Sequence, residues 1–387
     1  MYKLLSFIVI SLFASLGIGT GIAHAQVSPP EIAGKAWILV DMSTGQVLAE
    51  HNADERFEPA SLTKVMTAYV VFRALTEKRI DPEQRPPVSE RAYKAIGSRT
   101  FVEPASPARI EDLLRGMIVQ SGNDASIILA EAVAGTEEGF AQIMNQTAER
   151  MGMTNTQFRN STGLPAPEHY STARDLATSA MNLIRDFPEY YPLYSEKSFT
   201  YNNIKQGNRN RLLYVDPTVD GMKTGYTEAA GYCLISSAIR PQPGTSIQRR
   251  LLSVVLGTAS MAARAIESQK LLNYGFQNFD AVEVYATNQA AGSYTVWKGN
   301  ANVVTGGFED AVRVSVPKGQ AKKVQAEIEH IQPLVAPIVK GQRIGTLRVR
   351  YDGELLAERP LLANEDVAAA GILGRLWDSL KMLILRQ

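Results

Sequence analysis

Cysteine is nearly missing from this chain of 387 residues: Cys233 is the one there is, so no internal disulfide can form. It lies in the apolar run Tyr232-Cys-Leu-Ile-Ser-Ser-Ala238 and reads as a buried thiol that packs like a small hydrophobe. Histidine is scarce as well. His24, His51, His169 and His330 include no two at metal-ligand spacing, which argues against zinc chemistry. An excess of either charge is also lacking, with Lys and Arg at 40, Asp and Glu at 39 and a formal net charge of +1, so nothing points to a nucleic-acid partner. What remains is a globular composition, 45% hydrophobic and 20% charged, in a chain long enough for two domains with cores of their own.

The N-terminus reads as an export signal. Lys3 precedes a charge-free apolar stretch from Leu4 to Ile22, and Ala23-His24-Ala25 has the Ala-x-Ala form of a cleavage site. Residues 1–25 are therefore expected to be removed and the mature protein exported.

The chain is organised around Glu58-Pro-Ala-Ser61-Leu-Thr-Lys64 and the residues that follow it. Val65, Ala68, Tyr69, Phe72 and Leu75 recur at helical spacing and predict a helix with one apolar face. Ser61 and Lys64 then fall on the same side, one turn apart. A serine hydroxyl needs a base to become a nucleophile. Lysine serves if burial and the positive end of the helix dipole keep it neutral. Taken alone, the pattern equally fits an ordinary first turn with a solvated lysine.

Two further stretches carry candidate chemistry. A helix over Ile110–Gln120 stops at Ser121-Gly-Asn123-Asp-Ala, and a second runs from Ser126 to Ala134. The glycine permits a sharp turn that projects Ser121 and Asn123 from a loop, although helix capping accounts for the same residues. Further on, Val219-Asp-Gly-Met-Lys223-Thr-Gly225-Tyr-Thr precedes the strand that holds Cys233. Lys223 and Thr224 offer a charge and a hydroxyl to a carboxylate, and Gly225 lets a backbone or a substrate come close. Glu168, in the loop Asn160–His169, is the one acidic loop residue that could activate a water; a solvated surface carboxylate fits it as well.

Ser61-x-x-Lys64, Ser121-x-Asn123 and Lys223-Thr-Gly225, in that order, resemble the penicillin-recognising serine D,D-peptidases. With Asn208-Arg-Asn210 and the residues around each motif, essentially the whole chain resembles the membrane-associated D-alanyl-D-alanine carboxypeptidases, the low-molecular-mass penicillin-binding proteins of Gram-negative bacteria. The resemblance implies a mixed α/β (α+β) catalytic domain of the serine D,D-peptidase and β-lactamase type, with a central antiparallel sheet flanked by helices. It implies Ser61 as acylated nucleophile, Lys64 as general base, and Ser121 and Asn123 as proton-shuttle and substrate-amide groups. Lys223, Thr224 and Arg264 would place the substrate carboxylate, and Arg209 would be a further basic residue of the cleft. Backbone N–H groups of Ser61 and Tyr226 would form an oxyanion hole beside Gly225. Relatives often carry His or Thr where this chain has Tyr226, which implies altered specificity or rate. The implied substrate is the peptidoglycan pentapeptide ending in D-Ala-D-Ala, the implied inhibitors are β-lactams, and no cofactor or metal is required. Lys64 and Lys223 in one cleft should repel and lower the pKa of the more buried one, leaving Lys223 and Arg264 positive.

Beyond Phe279 short alternating runs such as Ala311–Val316 and Gly345–Tyr351 predict a small all-β domain. The expected divisions are residues 1–25, 26–278, 279–368 and 369–387. The last segment is a C-terminal amphipathic helix with Leu373, Leu376, Trp377, Leu380, Leu383 and Ile384 on one face and Arg375, Asp378 and Lys381 opposite. Spanning a bilayer would cost roughly 7–10 kcal/mol for the charges against about 3–5 kcal/mol returned. An interfacial helix on an anionic membrane surface, on the outer face of the inner membrane, fits better, with a helix docked on its own protein as the alternative. Two other functions remain in view: a β-lactamase of the same fold, and a non-catalytic envelope scaffold that binds wall peptides.

Overall fold

The computed structural model describes residues 28–384. The expected export signal, residues 1–25, lies outside the described residues. The first domain is built on a five-stranded antiparallel sheet formed by β1 (Ala36–Asp41), β2 (Gln46–His51), β5 (Val219–Thr227), β6 (Gly231–Pro241) and β7 (Gln248–Thr258), in the order β2-β1-β7-β6-β5. Side chains alternate between its faces. Ile38, Val40, Ile235 and Val254 join one core, while Trp37, Leu39, Leu234 and Val255 join another. Both faces are therefore covered, which is why the inner strands β1, β6 and β7 carry apolar runs.

The first core is closed by α1 (Lys64–Thr76), α2 (Glu90–Tyr93), α3 (Ile110–Arg115), α4 (Asn123–Ala134), α5 (Glu137–Arg150) and α6 (Ala173–Asp186). A small hairpin of β3 (Ser198–Tyr201) and β4 (Ile204–Gly207) and the short α7 (Leu212–Val215) lead to β5. The second core lies under α8 (Met261–Asn278), through Leu271, Leu272 and Tyr274.

Three local expectations are corrected. Helix α1 has no single apolar face: Val65, Met66, Ala68, Val70, Val71, Phe72 and Ala74 are all buried, as befits a helix surrounded by others. The helix after Ile110 turns into a π-helical turn over Gly116–Gln120, and Asn123 is the first residue of α4, not a loop residue. The segment Val219–Thr227 does not merely precede a strand but is itself β5, at the edge of the sheet.

From Phe279 to Ala363 the chain forms a separate all-β region, a six-stranded sheet and a two-stranded one around Val304, Val314, Ile344, Leu347 and Leu361. A tail helix, Ile372–Ile384, follows. Its apolar residues are exposed, Leu373 at 83% and Leu383 at 71%. Among the described residues no helix is long and apolar enough to cross a membrane.

Candidate active site

Ser61 lies in a 3-10 turn, Ala60–Thr63, that runs directly into α1. Ala60, just before it, is held at φ +47°, in the left-handed region that a side chain adopts only under constraint. Two neighbours supply the constraint. Gly225 of β5 packs so closely that a β-carbon there would sit 3.2 Å from Ala60 Cβ and Leu62 Cγ. Gly163, at φ +81°, comes closer still: its β-carbon would fall 1.8 Å from the Ala60 carbonyl oxygen. The turn that presents Ser61 is thus clamped between an edge strand and a loop.

Lys64 is buried at the start of α1. Its Nζ lies 3.1 Å from Ser61 Oγ, 2.7 Å from Asn123 Oδ1 and 2.6 Å from the Thr162 carbonyl oxygen. Burial, and then the positive charge of Arg209, bring its pKa down to about 7. A neutral amine has two hydrogens and one lone pair. Asn123 Oδ1 and the Thr162 carbonyl can only accept, so they take the two hydrogens, and the lone pair is left for the hydroxyl of Ser61. That is the arrangement of a base poised to remove the serine proton.

On the opposite side, Lys223 Nζ donates to Ser121 Oγ at 2.9 Å and to the Thr224 carbonyl at 3.0 Å. Ser121 itself is left-handed, φ +67°, at the end of the π-helical turn. Burial first, then the charges of Lys64, Arg209 and Arg264, push Lys223 well below the ordinary lysine value. Burial and its cationic neighbours thus work against the ammonium form expected of Lys223 from the sequence. A substrate carboxylate beside it would favour its ammonium form, whereas Arg264, lowered to about 10, keeps its charge without help. Arg264 donates to the Gly225 carbonyl at 3.1 Å and lies over the ring of Tyr232.

These groups surround a cleft of about 530 Å³ lined by Ser61, Ser121, Asn123, Arg209, Thr224, Gly225, Tyr226 and Arg264, with Lys64 and Lys223 buried beside it. Arg209 is aimed by its neighbours: Asn208 Oδ1 accepts from Asn210 N and Asn210 Oδ1 from Leu212 N, which pins the loop on either side. Tyr226 is 51% exposed and its ring lies against that of Tyr232, tilted by 32° with centroids 4.4 Å apart. Glu168 is exposed and is not among the lining residues, and no carboxylate of the described residues lines the cleft.

Sequence reasoning did not reach the third wall, formed by Thr162, Gly163 and Leu164 together with Gly97 and Ser98. The loop is ordered by Asn160, whose Oδ1 accepts from Thr162 N, Thr162 Oγ1 and Gly163 N, and by Glu137, which accepts from Ser161 N and Oγ. Asn160-Ser-Thr-Gly163 is the sort of Asx-turn sequence that could have flagged it.

Comparison with known proteins gives the same picture from another side. Residues 23–260 match the D-alanyl-D-alanine carboxypeptidase family, and residues 279–369 match the penicillin-binding protein 5 C-terminal domain. The chain is 43% identical to D-alanyl-D-alanine carboxypeptidase DacC of Escherichia coli, over 96% of this chain and 94% of that one. It is 40% identical to DacA of Haemophilus influenzae, over 98% and 96%. Among solved structures, penicillin binding protein 5 from Haemophilus influenzae superposes with a TM-score of 0.83 at 40% identity, covering 88% of this chain and 99% of that one.

Proposed function

Because the chain belongs to the D-alanyl-D-alanine carboxypeptidase family, we propose the following course for its reaction and assign a step to each residue of the cleft. The enzyme is a serine-type D-Ala-D-Ala carboxypeptidase, a hydrolase of peptidoglycan peptides, and the family is one of penicillin-binding proteins. Ser61 Oγ attacks the carbonyl between the two terminal D-alanines while Lys64 Nζ takes the hydroxyl proton. The backbone N–H groups of Ser61 and Tyr226 hold the oxyanion. Ser121, hydrogen-bonded to Lys223, relays to the departing D-alanine amine the proton that Lys64 took from Ser61, which returns Lys64 to its neutral form, and Asn123 holds the substrate amide. Lys223, Thr224 and Arg264 bind the terminal carboxylate, with Arg209 adding positive potential at the rim. Water then hydrolyses the acyl-enzyme. A β-lactam acylates the same oxygen and lingers, since its leaving group stays tethered.

The observation that carries this reading is the hydrogen-bond set of Lys64, which leaves a lone pair for Ser61. The β-lactamase reading would need a carboxylate on the cleft wall to align the deacylating water, and none of the described residues supplies one. Mass spectrometry after penicillin treatment tests the assignment: the adduct should map to the peptide containing Ser61, and Ser61→Ala should abolish both labelling and D-alanine release. Labelling elsewhere would end it. The catalytic unit corresponds to residues 26–278, the β domain to 279–368 and the anchor to 369–387. The enzyme works in the periplasm, with the tail helix laid on the outer face of the inner membrane, its stripe in the lipid and Arg375 and Lys381 toward anionic headgroups.

A further inference from the structure

Beside the cleft, α2 and the loop after it carry large side chains that the reaction above does not use. Tyr93 is 45% exposed, Ile96 70% and Phe101 44%. The guanidinium of Arg99 lies 5.7 Å from the Tyr93 ring centre and 5.5 Å from that of Phe101, so it joins the two rings into one surface. Gly97 and Ser98, in the middle of this segment, line the cleft itself. The surface is therefore continuous with the site of reaction.

It is also held rigidly, at a cost. Phe101 sits at φ +68°, a conformation that a bulky aromatic adopts only when its surroundings impose it. Asp124, fully buried, imposes it: its carboxylate accepts from the N–H groups of Thr100 at 2.8 Å, Phe101 at 2.7 Å and Val102 at 3.2 Å. Asn123 grips the other end, its Nδ2 donating to the Ile96 carbonyl and its N–H to the Ser98 carbonyl. Two buried polar atoms here are unspent, and Thr100 Oγ1 is one of them. The buried Nε of Arg99 has no hydrogen-bond partner.

We propose that Tyr93, Arg99 and Phe101 form a platform for the amino-sugar chain from which the peptide substrate hangs. Pyranose rings have apolar C–H faces that lie flat on aromatic rings, and their hydroxyl and acetamido oxygens accept hydrogen bonds, which suits exposed rings joined by a guanidinium. A platform fixed before binding avoids the ordering cost of flexible side chains. Its position beside the cleft wall formed by Gly97 and Ser98 sets it next to the site that takes the dipeptide, on the side open to the rest of the substrate. This inference rests on the carboxypeptidase reading and extends that same site outward.

Three substrates test it: diacetyl-Lys-D-Ala-D-Ala, a sugar-free pentapeptide, and a disaccharide pentapeptide. The variants are Tyr93→Ala and Phe101→Gly, the latter removing the ring while relieving the backbone constraint. In the variants, kcat/KM for the disaccharide pentapeptide divided by that for the sugar-free pentapeptide should fall about tenfold, through KM. A peptide-free amino-sugar oligomer should compete with the disaccharide substrate in the parent enzyme and lose that ability in the double variant. A ratio within twofold of the parent, or an equal loss on all three substrates, would overturn the platform. A fall already present with the sugar-free pentapeptide would overturn the sugar assignment in favour of peptide. If the parent enzyme released D-alanine from none of the three, the carboxypeptidase reading would fail instead, a distinguishable result.

Discussion

The guanidinium of Arg249 closes on the carboxylate of Asp41 at 2.7 Å, with neither side chain more than 2% exposed. Asp41 ends β1 and Arg249 begins the second half of the hairpin beside it, and Ser315 Oγ reaches across from the β domain to Asp41 Oδ2 at 3.0 Å. The two domains are thus joined through a dry ionic centre. Removing one partner of such a pair leaves an uncompensated buried charge.

Asp41→Ala should therefore lower unfolding stability by about 3–5 kcal/mol. Replacing both ions, as Asp41→Leu with Arg249→Met, should cost far less than the single change, since no orphan charge remains. Denaturant unfolding of the three proteins checks this. A double variant as damaged as the single one would contradict it.

The pKa of Lys64, brought to about 7, sets the pH dependence of acylation. In the proposed reaction its neutral form is the base, so the rate of penicillin labelling should rise with pH through that value and level off above it. The charge of Arg209 contributes to the lowering. Arg209→Gln should accordingly move the rising limb to higher pH, and Lys64→Met should lower acylation by about a hundredfold or more. Stopped-flow acylation across pH 5–9 provides the measurement; a limb unmoved in Arg209→Gln would contradict the electrostatic account.

The parts of the site that side-chain spacing encodes were legible, because Ser61 and Lys64, or Lys223 and Gly225, must stand at fixed offsets on one element. The five-stranded sheet was half legible: its hairpins follow from turn residues, but β5 hides because Gly221 and Gly225 break the apolar alternation. Backbone groups left no signature beyond the Asx-turn residues around Asn160. The Thr162 carbonyl that holds Lys64, and the π-helical turn that swings Ser121 into place, depend on tertiary clamping by Gly163 and by Thr100, against which a β-carbon at Gly116 or Gly122 would collide. Nor could spacing tell that Arg209, remote in sequence, would be the cation that depresses Lys64.

His169 gives the fold an acid-sensitive point behind the site. Its Nδ1 accepts from the Arg159 N–H at 3.2 Å, which puts the ring proton on Nε2, shared with Thr63 Oγ1 at 3.0 Å. Burial, then the charge of Arg159, lower its pKa from 6.5 to about 4. The unfolded chain therefore takes up the proton first as pH falls, so this contribution to stability is whole above pH 6.5 and is lost progressively down to about 4. The full loss amounts to about 3 kcal/mol. His169→Gln should flatten the fall in Tm between those pH values, and a slope identical to the parent's would refute it.

The tail helix is docked as well as amphipathic, against the expectation that Asp378 sits on a wet polar face. Asp378 Oδ2 accepts from the Lys298 N–H at 2.7 Å, and its side chain is only 16% exposed. Met382, one turn further on, lines a cavity of the β domain with Trp297 and Leu334. Docking through this polar edge turns Leu373, Leu376, Leu380 and Leu383 outward, where they remain exposed. Attachment to lipid and docking to the β domain should then be separable. Asp378→Ala should still sediment with anionic vesicles, because the stripe is intact, while amide hydrogens of residues 372–384 exchange faster in solution. Deleting residues 371–387 should abolish sedimentation and spare D-alanine release from a soluble peptide. Vesicle binding that survives the deletion would refute the anchor, and unchanged exchange in Asp378→Ala would refute the docking contact.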